Sequence, residues 1–336
     1  MGGHPALLRA LIVASALLAA CAGRKHEAVA TQDVLGRTPR PLEWIQPYSL
    51  RTRGADAQSL IGFVSRLKGR TVVVGAEVEG TLDLDLERDS LLQLADEVVR
   101  ASGAGSLVFG NTVLVGGPAR LASASGHPLR PLLMDGEYNG RRVTLYFTRY
   151  RLTNLLRLLA GVSNRSFEVA EGVEEWVSIS ASEVPWTRIL DALLVAGDLS
   201  SRDADGMIRV SRRGDGSPRF SPLGRDLVDV SYDPRAPPKE RDGRCAPPLG
   251  DSDLSQLRLL AVMTGPAKPE RFVRLPEALV RLPNGKPFDV GGNTCIGSAG
   301  GRVFRVERDR IVVRESQLRA DGTRDVVERV LALDGE

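Results

Sequence analysis

Residues 149–210 read RYRLTNLLRLLAGVSNRSFEVAEGVEEWVSISASEVPWTRILDALLVAGDLSSRDADGMIRV. Leu152, Leu155, Leu156 and Leu159 recur at the i, i+3, i+4, i+7 spacing that makes one face of a helix apolar. Gly161 predicts the end of that helix, because glycine enters a left-handed cap without steric cost. Phe167 to Val169 reads as a short strand. Val177 and Ile179 alternate with Ser178 and Ser180, which predicts a second strand with one buried and one wet face. Pro185 stands where a helix can begin, and Trp186, Ile189, Leu190, Leu193 and Leu194 form its apolar stripe. Gly197 closes that helix, and Met207 to Val210 supply a last strand after the Asp205-Gly206 turn. The order is helix–strand–strand–helix–strand, a small α+β unit.

The same pattern occurs upstream. Leu60, Ile61, Phe63, Val64, Val72 and Val74 stand 95 positions (155 − 60) before Leu155, Leu156, Leu158, Leu159, Phe167 and Val169. That offset also carries Leu82 and Leu84 onto Val177 and Ile179. It carries Leu91, Leu94, Ala95, Val98 and Val99 onto Trp186, Ile189, Leu190, Leu193 and Leu194. Near the end a gain or loss of one residue is expected, with Gly110 to Val115 answering Asp205 to Val210. One offset held through two helices and two strands reads as two copies of one module, at 51–117 and 140–212. Pro118, Pro128 and Pro131 make 118–139 a linker, after which Val143, Leu145 and Phe147 alternate as an opening strand. The Pro-rich stretch 213–250 reads as an extended linker without a core.

Residues 251–336 carry a β pattern. Apolar runs or alternations at Leu257–Met263, Ala278–Leu282, Val303–Val306, Ile311–Val313 and Val326–Leu333 are separated by turn residues. Those turns are Pro283-Asn284-Gly285, Gly291-Gly292-Asn293, Gly300-Gly301, Asp309 and Asp321-Gly322. Short strands at this spacing predict a small antiparallel barrel or sandwich. The fold class expected for the chain is α+β: two small modules in tandem, then a small all-β domain.

Three motifs of the repeat carry a family resemblance: Leu155-Leu156-Arg157-Leu158-Leu159-Ala160, Val184-Pro185-Trp186, and Gly206-Met207-Ile208-Arg209-Val210. They resemble the short periplasmic N-domains of secretins. The resemblance implies docking modules of pilus and secretion machines with no active site of their own. The last segment resembles the PilP family of pilus-assembly lipoproteins, itself related to the homology region of type II secretion inner-membrane proteins. The matching residues are Asp253-Leu254-Ser255-Gln256-Leu257-Arg258-Leu259, then Ala278-Leu279-Val280 before Pro283-Asn284-Gly285. Ile296-Gly297, Gly300-Gly301-Arg302-Val303 and Asp309-Arg310-Ile311-Val312-Val313 follow in family order. Tyr232-Asp233-Pro234 and Arg241-Asp242 are similar to the family's linker. The chain then departs from it: Gly243-Arg244-Cys245 replaces a Pro-Phe continuation, and Gly292-Asn293 replaces a Gly-Asp turn.

Arg9 precedes the apolar run Leu11 to Ala20, about half of the ~20 residues that cross a bilayer. A secretory signal over 1–20 explains it better than a membrane span. Leu18-Ala19-Ala20-Cys21 resembles a bacterial lipobox, which implies a lipid on Cys21 and a tether over 21–50. Ala22 in place of Asp favours the outer over the inner membrane. Cys245 and Cys295 remain. In an oxidising periplasm they can pair; two free buried thiols are the other reading.

With 336 residues the chain has room for two or three domains. Lys and Arg number 45 against 42 Asp and Glu, so no strong field favours nucleic acid. Only His4, His26 and His127 occur, and no HExxH, Cys/His cluster, phosphate loop or G-x-S-x-G elbow is present. Asp83 and Asp85 sit at strand spacing opposite Leu82, Leu84 and Leu86, the wet face of a strand. The sequence therefore predicts no enzyme, no metal, no small-molecule substrate and no cofactor apart from the lipid. Strand edges and sheet faces are the functional elements left. Arg141 and Arg142 at the opening strand, and Arg302 and Arg305 beside the Gly turn, are the candidate contacts. The expected role is a lipid-anchored periplasmic scaffold. Its partners would be an outer-membrane secretin, inner-membrane pilus platform proteins, or both. The alternative is a lipoprotein that binds peptidoglycan or a small ligand.

Overall fold

The structure, a computed structural model, describes residues 47–126, 138, 140–204, 206–224, 245, 247–266, 277–318 and 324–333. The signal sequence, Cys21, most of the tether and much of the two linkers lie outside the described residues. Gln46–Glu336 forms one compact unit.

Two stretches share one element order. The first runs β1 (Tyr48–Asp56), α1 (Ala57–Leu67), β2 (Thr71–Gly75), β3 (Thr81–Arg88), α2 (Leu91–Ala101), β4 (Gly105–Phe109), β5 (Thr112–Gly116). After α3 (Pro118–Ser125) the second runs β6 (Arg142–Arg151), α4 (Leu152–Ser163), β7 (Ser166–Ala170), β8 (Trp176–Pro185), α5 (Trp186–Ala196), β9 (Leu199–Ala204), β10 (Met207–Arg212). Local chemistry starts the helices: the Asp56 carboxylate accepts from Ser59 N at 2.9 Å and caps α1, and Pro185, with no capping hydrogen bond, holds the N-cap position of α5.

The backbone repeats as well. Positive φ recurs at Gly54 and Arg149, Gly69 and Asn164, and Gly103 and Asp198, each pair sharing the same offset. In each repeat the second and last strands pair in parallel, Thr71 opposite Thr112 and Ser166 opposite Met207. The expected one-residue gain or loss is therefore absent, and the single offset holds to the end. Helix α4 does not stop at Gly161; it runs to Ser163 and ends on Asn164, whose φ of +55° is left-handed. Asn tolerates that conformation, and nothing at Gly161 forces an earlier exit. The strands β4 and β9 went unread because their sequences, GSLVF and LSSRDA, carry too few buried residues to alternate clearly.

Neither linker is free of structure where it is described. In the first, α3 buries Ala124 in the core of the second repeat. In the second, β11 (Phe220–Pro222) pairs antiparallel with β7.

The C-terminal part holds β12 (Arg258–Thr264), β13 (Glu277–Arg281), β14 (Pro287–Gly291), β15 (Cys295–Ile296), β16 (Gly301–Val306), β17 (Arg310–Leu318) and β18 (Arg324–Ala332). Among the described residues these strands lie in two sheets and close no barrel.

Strand order shows how the parts join. One five-stranded sheet runs β4-β5-β2-β8-β6, so two strands of the second repeat extend three of the first. Another runs β14-β13-β12-β1-β3, so three C-terminal strands extend the remaining two of the first repeat. The smaller sheets are β11-β7-β10-β9 and β15-β16-β17-β18.

The run Val72-Val73-Val74 records this double burial. Val72 and Val74 enter the core of the first repeat, while Val73 and Leu114 enter that of the second. A strand buried on both faces reads as a continuous apolar run rather than an alternation. Likewise Leu260, Met263 and Leu279 of the C-terminal strands pack into the first repeat's core, and Leu259, Val262 and Val280 into a third. The parts are not beads on linkers. The first repeat is the middle of one body, and its neighbours complete both of its sheets.

Candidate functional site

The three parts meet at a small cleft lined by Gln58, Gly62 and Arg66 of α1, Tyr146 of β6, Ser178 and Ser180 of β8, and Pro287. Arg66 pins the junction. Its Nε and Nη2 donate to the two carboxylate oxygens of Asp289 at 2.7 and 2.6 Å, and its guanidinium lies 5.4 Å from the Tyr146 ring centre. Both charged side chains are buried, at 7% and 4% exposure, so the pair is held in bidentate form away from water. Ser178 Oγ donates to Gln58 Oε1 and accepts from Arg149 N, and Gln58 Nε2 donates to the Val78 carbonyl at 2.8 Å. These contacts join parts rather than present a reactive group. Among the described residues no three His, Cys, Asp or Glu side chains converge as metal ligands.

The sequence-predicted arginines fall on two sheets, two and two. Arg142 Nη1 donates to the Glu183 carbonyl at 2.6 Å, and the Arg141 carbonyl accepts from Trp186 N at 3.0 Å. Those two residues order the start of β6 and of α5.

Arg302 and Arg305 sit on the outer face of β16–β18. Across that sheet Arg302 stands opposite Arg314, Arg314 opposite Glu328, and Ser316 and Val312 opposite Val326 and Val330. Val303, Ile311 and Val313 point the other way into the core. The outer face thus carries Phe304, Val326 and Val330 at 42%, 62% and 55% exposure. The Arg314 guanidinium covers the Phe304 ring, Arg305 lies 5.3 Å from its centre, and Glu328 holds Arg314 at 2.9 Å. An aromatic ring and two valines framed by arginines is the composition of a protein-binding patch rather than of ordinary surface. The sequence pointed at the arginines. It missed Phe304 because the ring falls at the bulge between Val303 and Arg305, where alternation breaks.

Cys245 and Cys295 are disulfide-bonded, which fixes the end of the second linker to β15, the edge strand of this sheet. Among the described residues no helix is long and apolar enough to cross a membrane.

One half-buried carboxyl carries a pH signature. Burial pushes Asp191 on α5 up to about 6, against a hydrogen bond from Tyr138 that lowers it; the Arg188 guanidinium lies 5.3 Å from the Tyr138 ring centre. The folded state therefore holds this proton more tightly than the unfolded chain. Its contribution is present at low pH and is lost as pH rises through about 6. Asp191→Asn is expected to raise the melting temperature by a few degrees at about pH 7.5 and to leave it unchanged near pH 4. Thermal melts of both proteins at the two pH values check this, and an equal gain at both would contradict it.

No protein-family model matches the chain, and no curated protein matches it. Among solved structures it is similar to the solution structure of PilP from Pseudomonas aeruginosa, at 18% identity over 29% of this chain and 81% of that one, with a TM-score of 0.24. At that score the likeness carries no part of the functional reading.

Proposed function

We propose that this chain is a periplasmic, lipid-anchored scaffold of a type IV pilus or type II secretion-like envelope machine. It binds an outer-membrane secretin, inner-membrane platform proteins, or both. The observation that carries the reading is the outer face of β16–β18, where Phe304, Val326 and Val330 are exposed together within a frame of Arg302, Arg305 and Arg314. Leaving such side chains in water forgoes burial worth roughly 1.5–3 kcal/mol each, which a partner recovers on docking. The edge pairing that already unites the parts of this chain supports the same reading, since small sheets of this kind associate through strands and faces. The motif resemblances of the repeats and of residues 253–313 supply the class of machine. Acylated Cys21 would confine the scaffold to the membrane surface, outer rather than inner, and no catalytic step enters.

The test is a crosslinked pull-down of the tagged full-length protein from cell envelopes, beside a Phe304→Asp/Val326→Asp variant. A secretin or pilus platform protein is expected with the parent and lost by about tenfold or more with the variant, at equal melting temperature. Retention on purified peptidoglycan with neither partner captured would replace this reading with wall binding.

A further inference from the structure

Equivalent edges of the two repeats have different fates. The outer edge of β2 takes β8, with Val73, Val74 and Gly75 opposite Ile179, Ser178 and Val177. The equivalent edge of β7 takes β11 in the same register, with Glu168, Val169 and Ala170 opposite Pro222, Ser221 and Phe220. The outer edge of β1 takes β12, with Ser49 to Thr52 opposite Thr264 to Ala261. The equivalent stretch of β6, Thr144 to Phe147, ends its sheet with no strand beside it among the described residues.

The helix beside each edge differs in step with this. On α1 the stripe Gln58, Gly62 and Arg66 is covered from two sides: Gln58 and Gly62 lie against Ser178 and Ser180 of β8, while Arg66 lies over Tyr146 of β6 and receives Asp289 from β14, the third strand added beyond β1. Its equivalents on α4 are Thr153, Arg157 and Gly161, all only partly buried. The cation of the stripe has moved one turn, from the Arg66 position to Arg157. Arg157 Nη1 donates to Asn154 Oδ1 at 2.8 Å, while its Nε has no hydrogen-bond partner among the described residues.

We infer that the β6 edge and the Thr153–Arg157–Gly161 face of α4 form a docking groove for a small β-sheet domain of another protein. That domain adds an antiparallel strand to β6, as β12 does to β1, and brings a carboxylate to Arg157, as Asp289 comes to Arg66. The inference rests on the scaffold reading and assigns it a second surface, distinct from the β16–β18 face. Strand addition supplies affinity through main-chain hydrogen bonds, and the carboxylate supplies choice of partner.

The test places a photo-crosslinking p-benzoylphenylalanine at Thr148, exposed on β6, or at Val326, in the full chain in cells. The Thr148 probe is expected to capture a protein other than this chain, at a strand that carries Asp or Glu. Arg157→Glu is expected to cut that adduct by about tenfold and Arg157→Lys to keep most of it, while the Val326 adduct is unchanged. Arg157→Gln replaces the reversal if Arg157→Glu lowers the melting temperature. Capture of a second copy at Thr148, or an adduct indifferent to Arg157, would overturn the inference. So would capture at Val326 alone, which leaves the scaffold reading standing. Capture at neither position would overturn both.

Discussion

Arg66→Ala is expected to cost about 3–5 kcal/mol of stability, because it strands a buried carboxylate without its cation. Asp289 is 4% exposed in its side chain and takes both of its strong hydrogen bonds from Arg66. The loss is not that of one surface ion pair, which would be worth less than about 1 kcal/mol. Arg66 also lies over Tyr146, so one side chain of the first repeat touches the second repeat and the C-terminal part at once. Urea unfolding of the variant should show the whole transition moved to lower denaturant, since the cores share strands. The double variant Arg66→Met/Asp289→Leu should recover most of the loss, because apolar residues of similar volume remove the stranded charge. A loss below about 1 kcal/mol in the single variant would mean that Asp289 is solvated and the junction open.

Cys295→Ser, or its partner Cys245→Ser, should cost about 4 kcal/mol, the loop-closure entropy of a crosslink spanning a separation of 50 residues. The bond does more than close a loop. It delivers the end of the linker to the third core, where Leu249 is fully buried and its carbonyl accepts from Gly297 N at 2.9 Å. Residues 247–250, with two prolines at 247 and 248, are neither helix nor strand, so the crosslink and buried Leu249 hold them in place of a ladder of backbone hydrogen bonds. Reducing agent added to the parent should reproduce the midpoint of the serine variant, and should leave that variant itself unmoved. A reductant-insensitive parent would show that the two thiols do not bridge.

The repeat was legible because an offset in apolar residues survives every change of polar ones. Val72 and Val74 could be aligned with Phe167 and Val169 without knowing what covered them. Joining of the parts was not legible from that alignment, because it depends on residues the repeat does not share. Val73 and Leu114 are apolar, whereas their counterparts Glu168 and Arg209 form an exposed ion pair at 2.7 Å. That difference marks which repeat has a neighbour on that face, and it was present in the sequence as the unbroken run Val72-Val73-Val74. Arg66 and Asp289 gave a fainter signal. Each is a charge inside an apolar stretch, beside Leu67 and between Phe288 and Val290, yet their separation of 223 residues hid the pairing. β14 was missed for the same reason, since Asp289 interrupts it. The pairing of Cys245 with Cys295 could be named but not decided, because proximity in space leaves no trace in spacing. Of the candidate contacts, Arg302 and Arg305 proved to frame an exposed apolar patch. Arg141 and Arg142 instead order the start of a strand and a helix.

The two repeats and the C-terminal β strands form one body by completing each other's sheets. Native-state hydrogen exchange of the full chain tests it most directly. Amides of β1, β2, β8 and β12 are expected to exchange last and together, at the free energy of global unfolding. Amides of β12 to β14 exchanging early as a separate unit, with β1 and β2 still protected, would contradict it.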